Sequence, residues 1–202
     1  MTGQQRREQL VDVGRSLFAA KGVDGTSVEE IAATAHVSKP VVYEHFGGKE
    51  GLYAVVVDRE IQALTEVVTA ALTSEGTSRQ LIERAALALL DYIDGSTDGF
   101  RILVRDAPHH PGGTYASLLS DVAGQVEHLL SAELGRRGFP RRSSPLYAQM
   151  LVGMVSLAGQ WWLDSRDVPR EEVAAHLVNL AWNGLVGLER SPSLRTPPPR
   201  RP

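Results

Sequence analysis

Residues 27–46 read SVEEIAATAHVSKPVVYEHF, and the rest of the fold can be worked outward from this stretch. Two short helical patterns, SVEEIAATA and SKPVVYEHF, meet at His36-Val37. Ser27 and Glu30 have the spacing of a capping box ahead of the first. Ser38 is placed to cap the second, with Pro40 in its first turn, where a missing N–H costs little. Ile31, Ala32, Val37 and Val42 fall where the two helices would cross, and Ala32 is small enough for close approach. This is the pattern of a helix-turn-helix. The outer face of the second helix displays Lys39, Val41, Tyr43, Glu44 and His45. An ammonium, a phenol and an imidazole on one face suit phosphate oxygens and base edges. On periodicity alone, packing of Tyr43 and His45 against the preceding helix remains the alternative.

The flanking sequence is helical in pattern almost throughout. Upstream, Leu10, Val13, Gly14, Leu17 and Phe18 recur at steps of three and four, and Lys21-Gly22 ends that helix. Downstream of Gly47-Gly48, a long helix from Lys49 carries Leu52, Val55, Val56, Ile61, Leu64, Val67, Val68 and Leu72 on its buried side. Ser78 is expected to cap a helix to about Ile93. A short helix follows at about 99–106, then one at 114–134, one opening at Pro145 and a last one after Pro169. Breaks fall at 75–77, 94–96 and 111–113. No run alternates in the manner of a strand bounded by turns, so the fold class is all-α.

Composition bounds the function. With 202 residues and no Cys, the chain can bury a core without disulfides, and it has no thiolate zinc site or thiol nucleophile. The opening MTGQQRREQL lacks the apolar region of a signal peptide, so the expected location is the cytoplasm. The net charge of −3 gives no hint of a nucleic-acid partner, and all three Lys, at 21, 39 and 49, lie in the first 50 residues. The final stretch, RSPSLRTPPPRRP at 190–202, reads as a disordered Pro/Arg-rich tail. Residues 143–163 are 21 in a row without a charge, long enough for a membrane span. Pro145, Gln149, Ser156 and Gln160 inside it argue against lipid. This helix and the uncharged 173–188 are better read as buried on both faces, one against a second subunit. No membrane partner is expected.

The stretch TSVEEIAATAHVSKPVVYEHFGGKEGL resembles the DNA-binding module of the TetR family of transcriptional regulators. The resemblance rests on Ser27, Ile31-Ala32, Val37-Ser38, Tyr43, His45-Phe46, Lys49 and Leu52, and covers about the first 55 residues. It implies about nine helices. Three would form a helix-turn-helix domain over 1–48, and the rest a ligand-binding and dimerisation domain over 49–189. It also implies site roles: Ser27 and Ser38 at helix N-termini near phosphate, Lys39 and Val41 facing bases, and Tyr43, His45 and Lys49 on phosphates. Arg6 and Arg7 would lie in an N-terminal arm along the DNA backbone. Two residues depart from the family pattern. His36 stands where the family usually has Gly, at a position favouring positive φ. Glu29 is an acid on a surface that can face DNA, and is expected to point to solvent.

The resemblance further implies a small-molecule pocket in the C-terminal domain. Its candidate lining is Tyr92, Phe100, Leu103, Tyr115 and Leu119, with Met150, Met154 and Trp161 from the later helix. Each is equally a core residue by type. Arg101 and Arg105, one turn apart, are candidates for an anionic group, or for pairing with Asp98 or Asp106. Asp106, His109 and His110 have metal-binding groups, but their Pro-flanked setting reads as exposed loop, and neither metal nor cofactor is expected. Trp161, Trp162, Trp182, Leu185 and Leu188 are the candidate dimer interface. The expected protein is a homodimeric regulator of a near-palindromic DNA operator, usually a repressor, released by a small apolar or amphipathic effector. A regulator without a small ligand is the second reading. An enzyme is not expected: no Gly-rich phosphate loop, G-x-S-x-G, H-E-x-x-H or Glu-x-x-His pair occurs.

Overall fold

A computed structural model describes residues 1–105 and 114–193. Among these residues there are nine helices and no strand. α1 (Gly3–Lys21), α2 (Val28–Thr34) and α3 (Lys39–Phe46) form the N-terminal helix-turn-helix domain. α4 (Lys49–Thr73) leads out of it into the C-terminal helical domain. That domain adds α5 (Ser78–Gly95), α6 (Thr97–Val104), α7 (Tyr115–Arg136), α8 (Ser143–Asp164) and α9 (Arg170–Val186). The expected end of α6 near 106, the break at 111–113, the Asp106-His109-His110 group and tail residues 194–202 lie outside the described residues.

The helix ends follow local chemistry, with three corrections to the sequence reading. Thr77, not Ser78, caps α5, because Gln80 stands three residues beyond it and closes a reciprocal box with the Thr77 N–H and hydroxyl. Ser27 accepts the Glu30 N–H at 3.1 Å, but Glu30 turns its carboxylate to Lys21 instead of completing a box. Ser38 occupies the N-cap of α3 without making a side-chain cap bond. The turn between α2 and α3 has the expected backbone: His36 adopts φ 53°, the left-handed region favoured by Gly. Gly47, at φ 72°, closes α3.

The core of the N-terminal domain is Leu10, Phe18, Ile31, Ala35, Val42, Leu52 and Val56, all essentially inaccessible. Val37 is half-buried and packs against it. α4 carries a stripe at steps of four, with Leu52, Val56, Leu64, Val68 and Leu72 inward. Val67 lies one residue off that stripe and is exposed, contrary to expectation. The stripe also contains Glu60, a buried carboxylate between Val56 and Leu64. A second cluster joins Leu130, Leu134, Phe139 and Ala148, with Leu185 and Leu188 packed on it. Among the described residues no helix is long and apolar enough to cross a membrane.

Candidate nucleic-acid interface and effector cavity

α3 stands on the surface with Tyr43 54% exposed and Lys39 at its first position. Ser27, Ser38 and Glu44 are also exposed, Val41 packs its side chain toward the core, and His45 tilts against Phe46. Ser27, Tyr43 and Lys49 share a shallow cleft of about 430 Å³, which puts three of the expected DNA contacts together. The cleft is not simply basic, because Asp24, Glu29, Glu30 and Glu50 line it too.

The cations of this domain are committed within the protein. Lys39 is ion-paired with Glu29, so Glu29 does not simply face solvent, and Lys39 holds the Glu29 carboxyl below the ordinary Glu range. Lys49 donates to the carbonyls of Val23 (2.9 Å) and Thr26 (3.0 Å), tying the start of α4 to the α1–α2 connection. Arg7 donates to the His45 carbonyl at 2.8 Å and lies over the Phe46 ring at 4.5 Å. Arg6 and Arg7 are therefore helical residues, not a free arm: Thr2 caps α1 with Gln5, and the helix begins at Gly3.

A buried polar hub joins the two domains. The Glu60 carboxylate accepts from the Tyr92 phenol and from Ser96 Oγ at 3.0 Å, and Arg15 of α1 reaches both Ser96 and Glu60. Arg15 Nε sits 2.8 Å from Oε1 without its N–H aimed for a hydrogen bond, so that contact is ionic. Burial, then the bond to Glu60, pushes the Tyr92 phenol well above the ordinary phenol range. Arg105 reaches back from α6 to the Phe18 and Ala19 carbonyls, both at 3.1 Å, where the C-terminal end of α1 favours a cation. It is thus a domain strut and not an anion receptor. Arg101 is exposed beside Asp98 at 3.9 Å and lines an open surface cleft with Asp94 and Arg166, away from the apolar cavities.

An apolar cavity of about 80 Å³ lies between α4, α5, α7 and α8. Tyr115 and Leu119 line it, as do Leu64, which the sequence pattern marks only as core, and Leu89, Val152 and Val155, which it does not single out. Its polar groups, Tyr115 and Ser156, bond each other at 3.1 Å. A larger cavity of about 330 Å³ shares Leu72, Ile82, Val126 and Leu151 with it and runs to Ser78, Glu133, Arg137 and Trp182. Phe100 is fully buried, edge-on to Tyr115 on one side and Tyr92 on the other, with ring centroids 5.7 and 6.4 Å apart. Leu103 is buried and Met154 packs on the core, but neither lines these cavities. Met150 and Trp161 are exposed on the outer face of α8 and are corrected out of the lining.

That outer face is the candidate interface. Leu146, Met150, Leu157 and Trp161 recur along one side of α8, each more than half exposed, and Leu180 and Val186 stand out from α9. Trp162 is corrected out of it: buried within the chain, it donates its indole N–H to the Val168 carbonyl at 2.8 Å beneath Arg166. Trp182, Leu185 and Leu188 are half-buried, the leucines against the second core cluster. Among the described residues no group of His, Asp and Glu could hold a metal ion.

A surface recognition helix, a polar hub behind it and an apolar helical domain define a helix-turn-helix DNA-binding regulator. Residues 10–56 match the family model "Bacterial regulatory proteins, tetR family", and residues 67–194 the model "Tetracyclin repressor-like, C-terminal domain". The chain belongs to the TetR family of bacterial transcriptional regulators, which are DNA-binding proteins and not enzymes. It is 30% identical over 196 residues to the HTH-type transcriptional activator FasR of Mycolicibacterium smegmatis, covering 93% of this chain and 87% of that protein. A TetR-like regulator from Rhodococcus sp. RHA1 superposes with TM-score 0.75 at 27% identity, over 91% of this chain and 97% of the other. A tetR-family regulator from Streptomyces coelicolor gives 0.70 at 26% identity, over 92% and 82%.

Proposed function

We propose that this TetR-family regulator binds a near-palindromic operator as a homodimer and changes its operator affinity when a small apolar or amphipathic effector enters the C-terminal domain. The observation that carries this reading is the continuity from cavity to DNA-binding domain. Tyr115 of the cavity wall touches Phe100, Phe100 touches Tyr92, and Tyr92 is bonded to Glu60, which Arg15 of α1 also contacts. A ligand that separates α7 from α4 and α5 moves the first member of a packed chain whose last member is the DNA-binding domain. It acts through unequal affinity for the two arrangements. The small present volume fits a site that opens as it fills, while the adjoining larger cavity has the size of a ligand site. This favours an effector-responsive protein over one without a small ligand.

The dimer is supported by the exposed apolar face of α8 and α9, and dimerisation is typical of the family. Two-fold symmetry would present two α3 helices to successive major grooves. Tyr43, His45, Ser27 and Ser38 then contact the backbone, and Lys39 and the exposed part of half-buried Val41 face base edges. Lys49 gives two of its three N–H groups to carbonyls and reaches phosphate with the third. Repression by occupying a promoter is the first reading of the transcriptional effect. Activation is the second, favoured by the activator named among its relatives. DNA fragments selected from the genome by the purified protein test the core of this. Tyr43→Ala with His45→Ala should abolish binding to the selected operator while leaving a folded dimer by sedimentation. Unchanged operator affinity at physiological salt would overturn the site assignment.

A further inference from the structure

Residues 1–50 hold six basic side chains, and each has an acceptor inside the protein. Arg6 bonds Gln9, Arg7 the His45 carbonyl, Arg15 Ser96, and Lys49 two carbonyls. Arg15 also faces the Glu60 carboxylate at 2.8 Å in the interior; the other acceptors are neutral, and all but the first tie separate segments of the chain together. Lys21 and Lys39 are instead held by carboxylates, Glu30 and Glu29, at the surface. Only Lys39 lies on α3. Its side chain is 52% exposed and that of Glu29 60%, so the pair is open to water and to exchange.

We infer that Glu29 is a specificity-determining residue: its carboxylate restrains Lys39 and so suppresses binding to DNA of arbitrary sequence. The physical reason is a comparison of acceptors. On arbitrary DNA, Lys39 would exchange one carboxylate for one phosphate, a near-equal trade. Glu29, left behind, would face phosphates without a partner. At an operator carrying guanine under Lys39, O6 and N7 take two of the ammonium's three N–H groups and leave the third on Glu29, so the pair survives there and only the correct base is rewarded. The restraint costs little at the operator and weighs most where no base compensates. The inference rests on the groove-facing position of Lys39 proposed above.

The test uses E29Q, K39A and the double variant, with a random-sequence duplex and the selected operator as probes, across a salt series. Each neutralised phosphate adds about 0.9 to the slope of log affinity against log salt. E29Q should therefore steepen the slope on the random duplex by about one. Its gain in affinity should be about 3.5-fold larger at 50 mM than at 200 mM salt. Operator affinity should rise less, so the ratio of operator to random binding falls. In the K39A background, the effect of E29Q on the random duplex should shrink to less than half. An unchanged slope for E29Q overturns the inference. So does an equal effect with and without Lys39, which would leave plain repulsion by Glu29. Loss of operator affinity in E29Q, with discrimination lost at one C·G pair, would make Glu29 a reader of cytosine instead. Operator binding that is indifferent to K39A would remove the placement of Lys39 itself, a failure distinct from the others.

Discussion

Gly99→Ala probes the junction between the domains. A Cβ at position 99 would overlap the Glu60 carboxylate and come within 2.7 Å of Ser96 Oγ. Glu60 has no easy retreat, being 8% exposed and engaged by Tyr92, Ser96 and Arg15. Replacing Gly by Ala inside a helix is by itself favourable by about 1 kcal/mol. Overpacking of this kind costs about 1–3 kcal/mol. A displaced carboxylate loses charge-assisted bonds worth about 1.5–3 kcal/mol. The clash wins, and the net expectation is a destabilisation of about 2–4 kcal/mol. Urea unfolding at one fixed chain concentration measures it, since the proposed dimer would make stability depend on concentration. The decisive comparison is the same substitution in a Glu60→Ala background, where the space is vacated. There Gly99→Ala should cost little or stabilise, giving a coupling of about 2 kcal/mol or more. A Gly99→Ala protein as stable as the parent, or an equal cost in both backgrounds, would refute the close approach of Gly99 and Glu60 as the reason for glycine here.

Leu157, 66% exposed on the outer face of α8, tests the dimer. Leu157→Glu should shift the protein toward monomer by sedimentation velocity without loss of helicity, and an undisturbed dimer would exclude this face. The hub also sets a pH dependence. The Tyr92 phenol is held neutral in the fold above its ordinary titration range, while the unfolded chain releases that proton near pH 10. The unfolded state then binds fewer protons, so stability is full below about pH 10 and falls above it. The slope approaches about 1.4 kcal/mol per pH unit for each such group. Tyr53 and Tyr115, raised by burial, add to it in the same direction. Tyr92→Phe should flatten the alkaline slope of unfolding free energy by about one group's share, and an unchanged slope would count against the buried bond to Glu60.

Much of the fold was legible because the signals that make it are local. Steps of three and four define the inward face of α1, and glycines close α1 and α3. Positive φ at His36 was implied by the resemblance, which places His36 where the family usually has Gly. What was not legible depended on which partner a face or a polar group would choose. Periodicity marks Trp161 and Trp162 alike as apolar, yet consecutive helical positions differ by about 100°, so one faces out and the other in. Met150 falls on the same outward side as Trp161, which is why a pocket built from both was mistaken. Glu60 sits at the buried step of an apolar stripe and has no sequence signal of its own, since Arg15, Tyr92 and Ser96 come from other helices. Leu64 and Val152 could be read as core, but not as the wall of a void.

The charge count gains its meaning from the same distinction between residue type and partner. Residues 1–50 carry six bases and seven acids, a sum of −1, which by itself disfavours a polyanion. Partnering makes the number less informative than it looks, because a cation bonded to a backbone carbonyl keeps its charge but not its freedom. Arg7 and Lys49 hold α1, α3 and α4 in register through backbone carbonyls, Arg15 is turned inward to Ser96 and Glu60, and much of their attraction for phosphate acts through the field they leave at the surface. Ion pairs such as Lys39–Glu29 cancel even that field at a distance and leave only their remaining N–H groups for an acceptor in contact. A regulator that must find one site among many non-specific ones is served by this arrangement. Long-range attraction to every phosphate is kept low, and the discriminating charge is exposed only in contact with the correct groove.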